Sequence, residues 1–454
     1  MPLSVVILAA GQGKRMHSDL PKVLQPLGGH SLLEHVVRSA QALAAQNVYV
    51  VYGHGAELVQ ESHKHLGVQW VLQAEQLGTG HAVMQALPKV SDSDLLLVLY
   101  GDVPLVRHST LKLLTDAAAK GELAVLTAKV PDPKGYGRIL RDAAGRVTRI
   151  VEEKDASPAE RWVDEINTGL MACSADRMRR WLKNVGNQNA QKEYYLTDVI
   201  AMAVADGVKV DGVLAEDHNE TRGINDKQQL AAAEKALRKR TAIELMLAGL
   251  TLRDPRRFDL RGDLSFGRDC EIDVNCVLEG RVKLGARVKI GPHSVIRDCE
   301  IGDDTEVLSH CVLDGAKIGA RVRLGPYARI RPETELADEV HIGNFVEVKK
   351  SRFGKHSKAN HLAYIGDAMV GERVNIGAGA ITCNYDGSAK HTTVIEDGAF
   401  VGTNATLVAP VTIGAGAYIA AGSTISKNAP PGELSIARAR QETKTGWQRP
   451  TGKK

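Results

Sequence analysis

After about residue 251 the chain keeps time in sixes. Aliphatic residues recur at Ile272, Leu278, Leu284, Ile290 and Ile296, then in a second phase at Ile301, Val307 and Leu313. A third phase holds Ile318, Leu324, Ile330, Leu336, Ile342 and Val348, and a last run holds Ile395, Val401, Leu407, Ile413, Ile419 and Ile425. A helix would want a spacing near 3.6 and a half-buried strand a spacing of 2. Six per side, often with glycine next, fits a short strand followed by a turn, and stacked sides of this kind build a prism-shaped solenoid. One aliphatic per side fills the interior. Small residues four positions later, such as Ala328, Ala405, Ala417 and Ser423, fit beside it. The phase breaks at 298 to 300, 314 to 317, 352 to 369 and 382 to 394 are expected to be loops leaving the coil, where a rigid scaffold usually carries its binding residues.

The first half follows another pattern. Residues 5 to 10, 48 to 52, 95 to 100 and 124 to 128 are continuous apolar runs, which suit strands covered on both faces by helices in a mostly parallel, doubly wound sheet. Ligands bind such sheets beyond the carboxyl ends of the strands. Two runs end in chemically informative loops, Gly11-Gln12-Gly13-Lys14-Arg15-Met16 and Gly101-Asp102-Val103-Pro104. Residues 230 to 249 are rich in strong helix formers and stop at a glycine, with Asp226 marking the start of a connecting helix. The expected organisation is an α/β domain over 1–227, a linker helix over 228–248 and an all-β coil over 249–454.

A chain of 454 residues is long enough for two domains with separate cores. A net charge of only +4 gives no reason to expect nucleic acid or anionic lipid, so small molecules are the expected partners. No run of about eighteen apolar residues and no basic-led leader occurs, which points to a soluble cytoplasmic protein without membrane insertion. The six cysteines lie far apart with no CxxC pair, and are expected to be reduced apolar side chains rather than zinc ligands or disulfides.

A glycine-rich turn after a buried strand lets backbone N–H groups approach phosphate. This Gly-x-Gly lacks the third glycine of a dinucleotide fingerprint, which disfavours an NAD-dependent oxidoreductase. Arg15 and Lys22 add two cations, the charge that nucleotidyl transfer needs on a developing pentavalent phosphorus and its pyrophosphate leaving group. Asp102, after a strand end, suits either Mg²⁺ or a helix cap. In the coil, His361 sits in Lys358-Ala359-Asn360-His361-Leu362-Ala363-Tyr364, and neutral imidazole is suited to take a proton from an amine. A lone histidine there is also commonly a surface residue. Arg331, Lys349, Lys350 and Lys390 offer cations for a sugar phosphate, and the break at 382 to 394 carries Thr382-Cys383-Asn384-Tyr385-Asp386-Gly387.

Leu8-Ala9-Ala10-Gly11-Gln12-Gly13-Lys14-Arg15-Met16 followed by Leu20-Pro21-Lys22 resembles the signature of sugar-1-phosphate nucleotidyltransferases, with Lys14 where the family usually has threonine. Gln73-Ala74-Glu75-Gln76-Leu77-Gly78-Thr79-Gly80-His81, Tyr100-Gly101-Asp102, Gly135-Tyr136-Gly137-Arg138, Val151-Glu152, Asn167-Thr168-Gly169 and Gly223-Ile224-Asn225 follow in family order. Together with the coil they resemble the bifunctional N-acetylglucosamine-1-phosphate uridylyltransferase / glucosamine-1-phosphate acetyltransferase family, almost end to end.

That resemblance implies an α/β Rossmann-like nucleotidyltransferase domain joined by a helix to a left-handed parallel β-helix, acting as a homotrimer that feeds peptidoglycan and lipopolysaccharide synthesis. It implies UTP and UDP-N-acetylglucosamine contacts at Leu8, Ala9, Gly11, Gly13, Lys22, Tyr100 and Gly101. Gln73, Gly78 and Thr79 would read the uracil, Gly137, Glu152 and Asn167 would touch the amino sugar, and Asp102 and Asn225 would hold Mg²⁺. In the coil it makes His361 the general base. Arg331, Lys349, Tyr364, Asn375 and Lys390 would grip glucosamine-1-phosphate. Ala378, Asn384, Tyr385, Thr403, Ala421 and Arg438 would line the acetyl-CoA cleft, with Thr403 where the family often has serine. The basic tail, residues 449 to 454, would either cover a coenzyme phosphate or stay solvated. Two other readings remain open at this level, a nucleotidyltransferase whose coil only regulates and a non-catalytic sugar-nucleotide sensor or assembly scaffold.

Overall fold

The computed structural model describes residues 1–450 apart from Gln12, His54 and Ala190. The chain separates into two compact units, Met1–Leu237 and Arg238–Lys454.

In the first unit β1 (Leu3–Leu8) is central. On one side lie β2 (Asn47–Tyr52) and β3 (Gln69–Leu72); on the other, in order, β4 (Leu95–Tyr100), β8 (Glu165–Ser174), β5 (Leu123–Lys129) and β9 (Val210–Leu214). All are parallel except β8, which runs antiparallel to both of its neighbours. A hairpin of β6 (Arg138–Arg141) and β7 (Val147–Val151) pairs with β8 through Arg138 and Ile166. The apolar runs are unbroken because both faces are covered. Val5 and Ile7 join a core layer with Leu33, Val36, Leu111 and Leu114 of two helices, while Val6 and Leu8 join the opposite layer with Ala82, Val83 and Met178. The sheet grows outward from β1 in both directions, which opens a crevice at its carboxyl end.

The connecting helix runs Lys227–Leu247. Asp226 caps it, its side chain accepting from the Gln229 N–H at 2.8 Å, and Gly249 follows with φ +103°.

The second unit is a left-handed parallel β-helix of short strands. One face is an eleven-stranded parallel ladder, and the other two belong to a continuous seventeen-stranded ladder. Every aliphatic residue of the six-fold series is inside, from Ile272 and Leu278 to Ile419 and Ile425, and Ala328, Ala405, Ala417 and Ser423 are buried beside them.

The phase breaks need correction, because three of the four do not leave the coil. Ile296 pairs with Leu313, seventeen residues on, whereas Leu278 pairs with Ile296, eighteen residues on. A turn of seventeen simply shortens one corner by a residue, which shifts the phase while the strands continue through Glu300–Ile301 and Ala316–Ile318. The stretch 352 to 369 likewise holds strands Arg352–Phe353, Lys358–His361 and Tyr364–Gly366. It escaped the repeat because Ala359, fully buried, stands where the series expects a larger aliphatic. Only the break at 382 to 394 is a true excursion: Thr382 pairs with Leu407, so this turn is twenty-five residues long.

Candidate functional sites

The first site lies at the carboxyl ends of β1 and β4. Leu8 pairs with Tyr100 across these strands. The chain turns away just beyond, leaving Ala9, Ala10 and Gly11 opposite Asp102 around a cavity of about 310 Å³. Lys22 reaches into it. Its ammonium lies 2.5 Å from Asp102 Oδ2 and 3.2 Å from Asn225 Oδ1. Asn225 is brought there because the Ile224 N–H donates to the Asp102 carbonyl at 2.9 Å and the Asn225 N–H to Gln229 Oε1 at 2.7 Å. Gly13 does not line the cavity but backs Lys22. Its φ is +62°, and an added Cβ would stand 2.5 Å from Lys22 Cβ, so only glycine fits. Arg15 is exposed and has no hydrogen-bond or ion-pair partner among the described residues; Gln12 of the same turn lies outside them.

Gln73, Gly78 and Thr79 form the opposite wall. The Gln73 amide donates to the Gly78 carbonyl at 3.3 Å, and its nitrogen is 3.0 Å from His81 Nδ1. A distant loop locks this wall: the Tyr194 N–H donates to Leu77 O, the Gly80 N–H to Tyr194 O, and the Leu196 N–H to Thr79 Oγ1 at 3.1 Å. That loop adds Glu193 to the lining. Sequence reasoning missed Ala10, Val23, Gln76, Ala82 and Glu193 as lining residues. Gln76 lay inside a recognised motif, but Glu193 had no local signal, since only the fold brings it to Gly78.

Gly137, Glu152 and Asn167 do not line the cavity but assemble beside it. The Asn167 N–H donates to Gly137 O at 2.8 Å. A Cβ on Gly137 would be 3.3 Å from Glu152 Oε1. A register shift in β8 between Asn167 and Met171 re-aims this segment, and Gly169 packs directly on the Tyr100 ring. Tyr100 therefore joins this group to the cavity. Burial pushes the Glu152 carboxyl above its ordinary range and raises the Tyr100 phenol as well.

The second site runs along one edge of the coil. His361 is not in an ejected loop; it is the last residue of strand Lys358–His361, exposed, just before the corner at Leu362. Strand register stacks the turns: Ala359 on Ile376, Ile376 on Val401, Val401 on Ile419. Two residues beyond each, His361, Ala378, Thr403 and Ala421 therefore form one column, at about 4.8 Å per turn. Arg438 closes it, its guanidinium donating to the Ala421 carbonyl at 2.5 Å. The side chains below the imidazole are therefore small.

Around the corner, on the next face, charges gather. Arg331 donates to Glu347 Oε1 at 2.8 Å, and Lys349 lies 3.4 Å from Asp367 Oδ2. The Asn384 amide donates to Asp367 and, at 3.4 Å, to the Tyr364 hydroxyl. The excursion at 382 to 394 brings Lys390 here. Tyr385 and Lys390 form an antiparallel bridge, and Asp386 accepts from the Ser388 and Ala389 N–H groups and pairs with His391 at 2.7 Å. Lys349 beside it holds Lys390 below the ordinary lysine range. Asn375 stands apart: it pairs with Lys358, three strand positions before His361, about 10 Å away along the face. The basic tail falls partly on residues 451–454, outside the described ones.

A doubly wound sheet with cations and a carboxylate at its strand ends, joined to a six-periodic coil with an edge histidine, defines the class: a nucleotidyltransferase fused to a hexapeptide-repeat transferase. Comparison with known proteins agrees. The MobA-like NTP transferase domain matches residues 5–182, the GMPPB C-terminal domain residues 260–361, and the bacterial transferase hexapeptide (six repeats) residues 392–427. The chain is 56% identical over 448 residues to the Bifunctional protein GlmU of Alkalilimnicola ehrlichii, covering 99% of this chain and 96% of the relative. It is 56% identical to that of Azoarcus sp., covering 99% of both. To that of Aromatoleum aromaticum it is also 56% identical, over 100% of this chain and 99% of the relative. The chain belongs to the bifunctional GlmU family.

Proposed function

We propose that this chain makes UDP-N-acetylglucosamine in two transfers: acetylation of glucosamine-1-phosphate in the coil, then uridylyl transfer from UTP in the front unit. The observation that carries the reading is the convergence of Asp102 and Asn225 oxygens on the Lys22 ammonium at the mouth of β1 and β4.

In the front unit the phosphate oxygen of N-acetylglucosamine-1-phosphate attacks the α-phosphorus of UTP and pyrophosphate leaves. No protein nucleophile takes part. Lys22 and the exposed Arg15 neutralise phosphate charge, and Glu152 and Asn167 hold the sugar so that the attacking oxygen is in line. A carboxylate and an amide oxygen that already hold one cation are a suitable donor pair for Mg²⁺, which takes oxygen ligands and leaves room for phosphates and water. Asp102 and Asn225 would hold it, and the ion would neutralise phosphate charge.

In the coil the Arg331, Lys349 and Lys390 cluster takes the sugar phosphate, and the column of small residues below His361 takes acetyl-CoA. His361 removes a proton from the amine as nitrogen attacks the thioester carbonyl; the N–C bond forms, the C–S bond breaks and coenzyme A leaves as thiol. Asn375 and the lysine cluster stand on different edges of one coil, so a site that uses both joins two copies. Three flat faces then support a closed homotrimer. Among the described residues no helix is long and apolar enough to cross a membrane, and reduced thiols and nucleotide substrates fit the cytoplasm. The test is to supply glucosamine-1-phosphate, acetyl-CoA, UTP and Mg²⁺ and weigh the products. UDP-N-acetylglucosamine is expected; its absence, with or without added N-acetylglucosamine-1-phosphate, would refute the reading.

A further inference from the structure

The hydrogen bond of His361 has a directional consequence. Its Nδ1 lies 2.7 Å from Asn344 Oδ1, and the two residues are register partners on adjacent turns. A carboxamide oxygen only accepts, so Nδ1 carries the hydrogen and donates it. In a neutral imidazole the other nitrogen, Nε2, then holds the lone pair. Among the described residues that nitrogen has no hydrogen-bond partner, and it lies at the exposed edge. The Asn344 backbone is fixed as well, its carbonyl accepting from the Leu362 N–H at 3.0 Å.

We infer that Asn344 is a positioning residue for acetyl transfer: it selects the His361 tautomer whose Nε2 can accept a proton and fixes the ring plane above the Ala378, Thr403 and Ala421 column. The inference rests on His361 being the base. Asn344 stands one turn above His361 on the face that bears the column, whereas Arg331, Lys349 and Lys390 grip phosphate around the corner. Asn344 therefore governs the proton step and leaves sugar-phosphate capture alone. On the same face stand Arg323, His341 and Lys358; burial, and then the like charges of Arg323, His361 and Lys358, hold the His341 imidazole below its ordinary range. Arg323 and Lys358 are donors only and cannot replace the Asn344 oxygen.

The test compares Asn344→Leu, Asn344→Asp and His361→Ala in the full chain, with uridylyl transfer and the melting temperature of the coil followed alongside. Asn344→Leu keeps bulk but removes the acceptor. It is expected to lower acetyl-transfer kcat about 10- to 100-fold, as loss of an orienting partner does elsewhere, with KM for glucosamine-1-phosphate within about twofold. Asn344→Asp keeps an acceptor oxygen at the same point and is expected to restore most of kcat. In the His361→Ala background Asn344→Leu is expected to have no further effect, since the pair acts as one unit. A kcat near that of the parent in Asn344→Leu, a drop shared equally by Asn344→Asp, or a loss confined to KM would each overturn the inference. If His361→Ala itself acetylates normally, the base assignment fails first and the two failures are told apart.

Discussion

The two sites of this chain are built on opposite principles. In the front unit the functional groups come from short contiguous stretches at strand ends, gathered around one cavity; in the coil they come one per turn, from residues seventeen to twenty-five apart, strung along an edge. A gathered pocket is collective, because Lys22, Asp102 and Asn225 hold one another and Gly13 holds Lys22. A strung edge is modular, because each side chain sits on its own rung and is held only by a neighbour one turn away, as His361 is by Asn344.

This contrast can be broken most forcefully at His361. His361→Ala should lower acetyl transfer about 10³-fold, the worth of a positioned base, while uridylyl transfer, measured by pyrophosphate release from N-acetylglucosamine-1-phosphate and UTP, stays unchanged. Asp102→Ala is expected to lower uridylyl transfer by about 10²-fold or more, as loss of a preorganised charge partner does, and to leave acetylation intact. It also frees Lys22, so its effect should be far from additive with Lys22→Ala in a double-mutant cycle. Gly13→Val would sharpen the collective side of the comparison. Its Cβ would stand 2.5 Å from that of Lys22 at φ +62°, displacing the lysine and lowering uridylyl kcat by about 10- to 100-fold, whereas Thr403→Ser in the modular column should change acetyl transfer less than about threefold.

The smallest effect concerns Glu152. Burial raises its pKa, so as a carboxylate acceptor for the sugar it works above that raised value and is lost as pH falls through it, earlier than for an ordinary glutamate. The KM for N-acetylglucosamine-1-phosphate should therefore rise as pH drops. Glu152→Gln should remove that limb and cost about tenfold in KM at neutral pH. A flat KM profile in the parent enzyme would remove Glu152 from sugar binding.

Much of both folds was legible for the same reason that the sites differ. A continuous apolar run such as residues 95 to 100 already reports burial on two faces, and twenty aliphatic residues in sixes report a prism. The misreadings came where register between rungs matters. A corner shortened by one residue shifts the phase at 298 to 300 without expelling any chain, and Ala359 fills the interior with too little bulk to be counted. The column of His361, Ala378, Thr403 and Ala421 was available only as a set of separate family positions, because the long turn at 382 to 394 hides its even vertical spacing. Glu193 was invisible because its place at Gly78 is a product of tertiary structure alone. Motifs located Lys22, Asp102 and Asn225, but not that one cation would sit between two oxygens.

The central claim, two independent sites working in sequence within one chain, is tested most directly by mixing. His361→Ala and Asp102→Ala proteins are incubated singly and together with glucosamine-1-phosphate, acetyl-CoA, UTP and Mg²⁺, and the nucleotide sugar is quantified by mass. The account predicts little product from either protein alone and recovery in the mixture, as free N-acetylglucosamine-1-phosphate passes from one to the other. Full yield from His361→Ala alone, or no recovery on mixing, would contradict it.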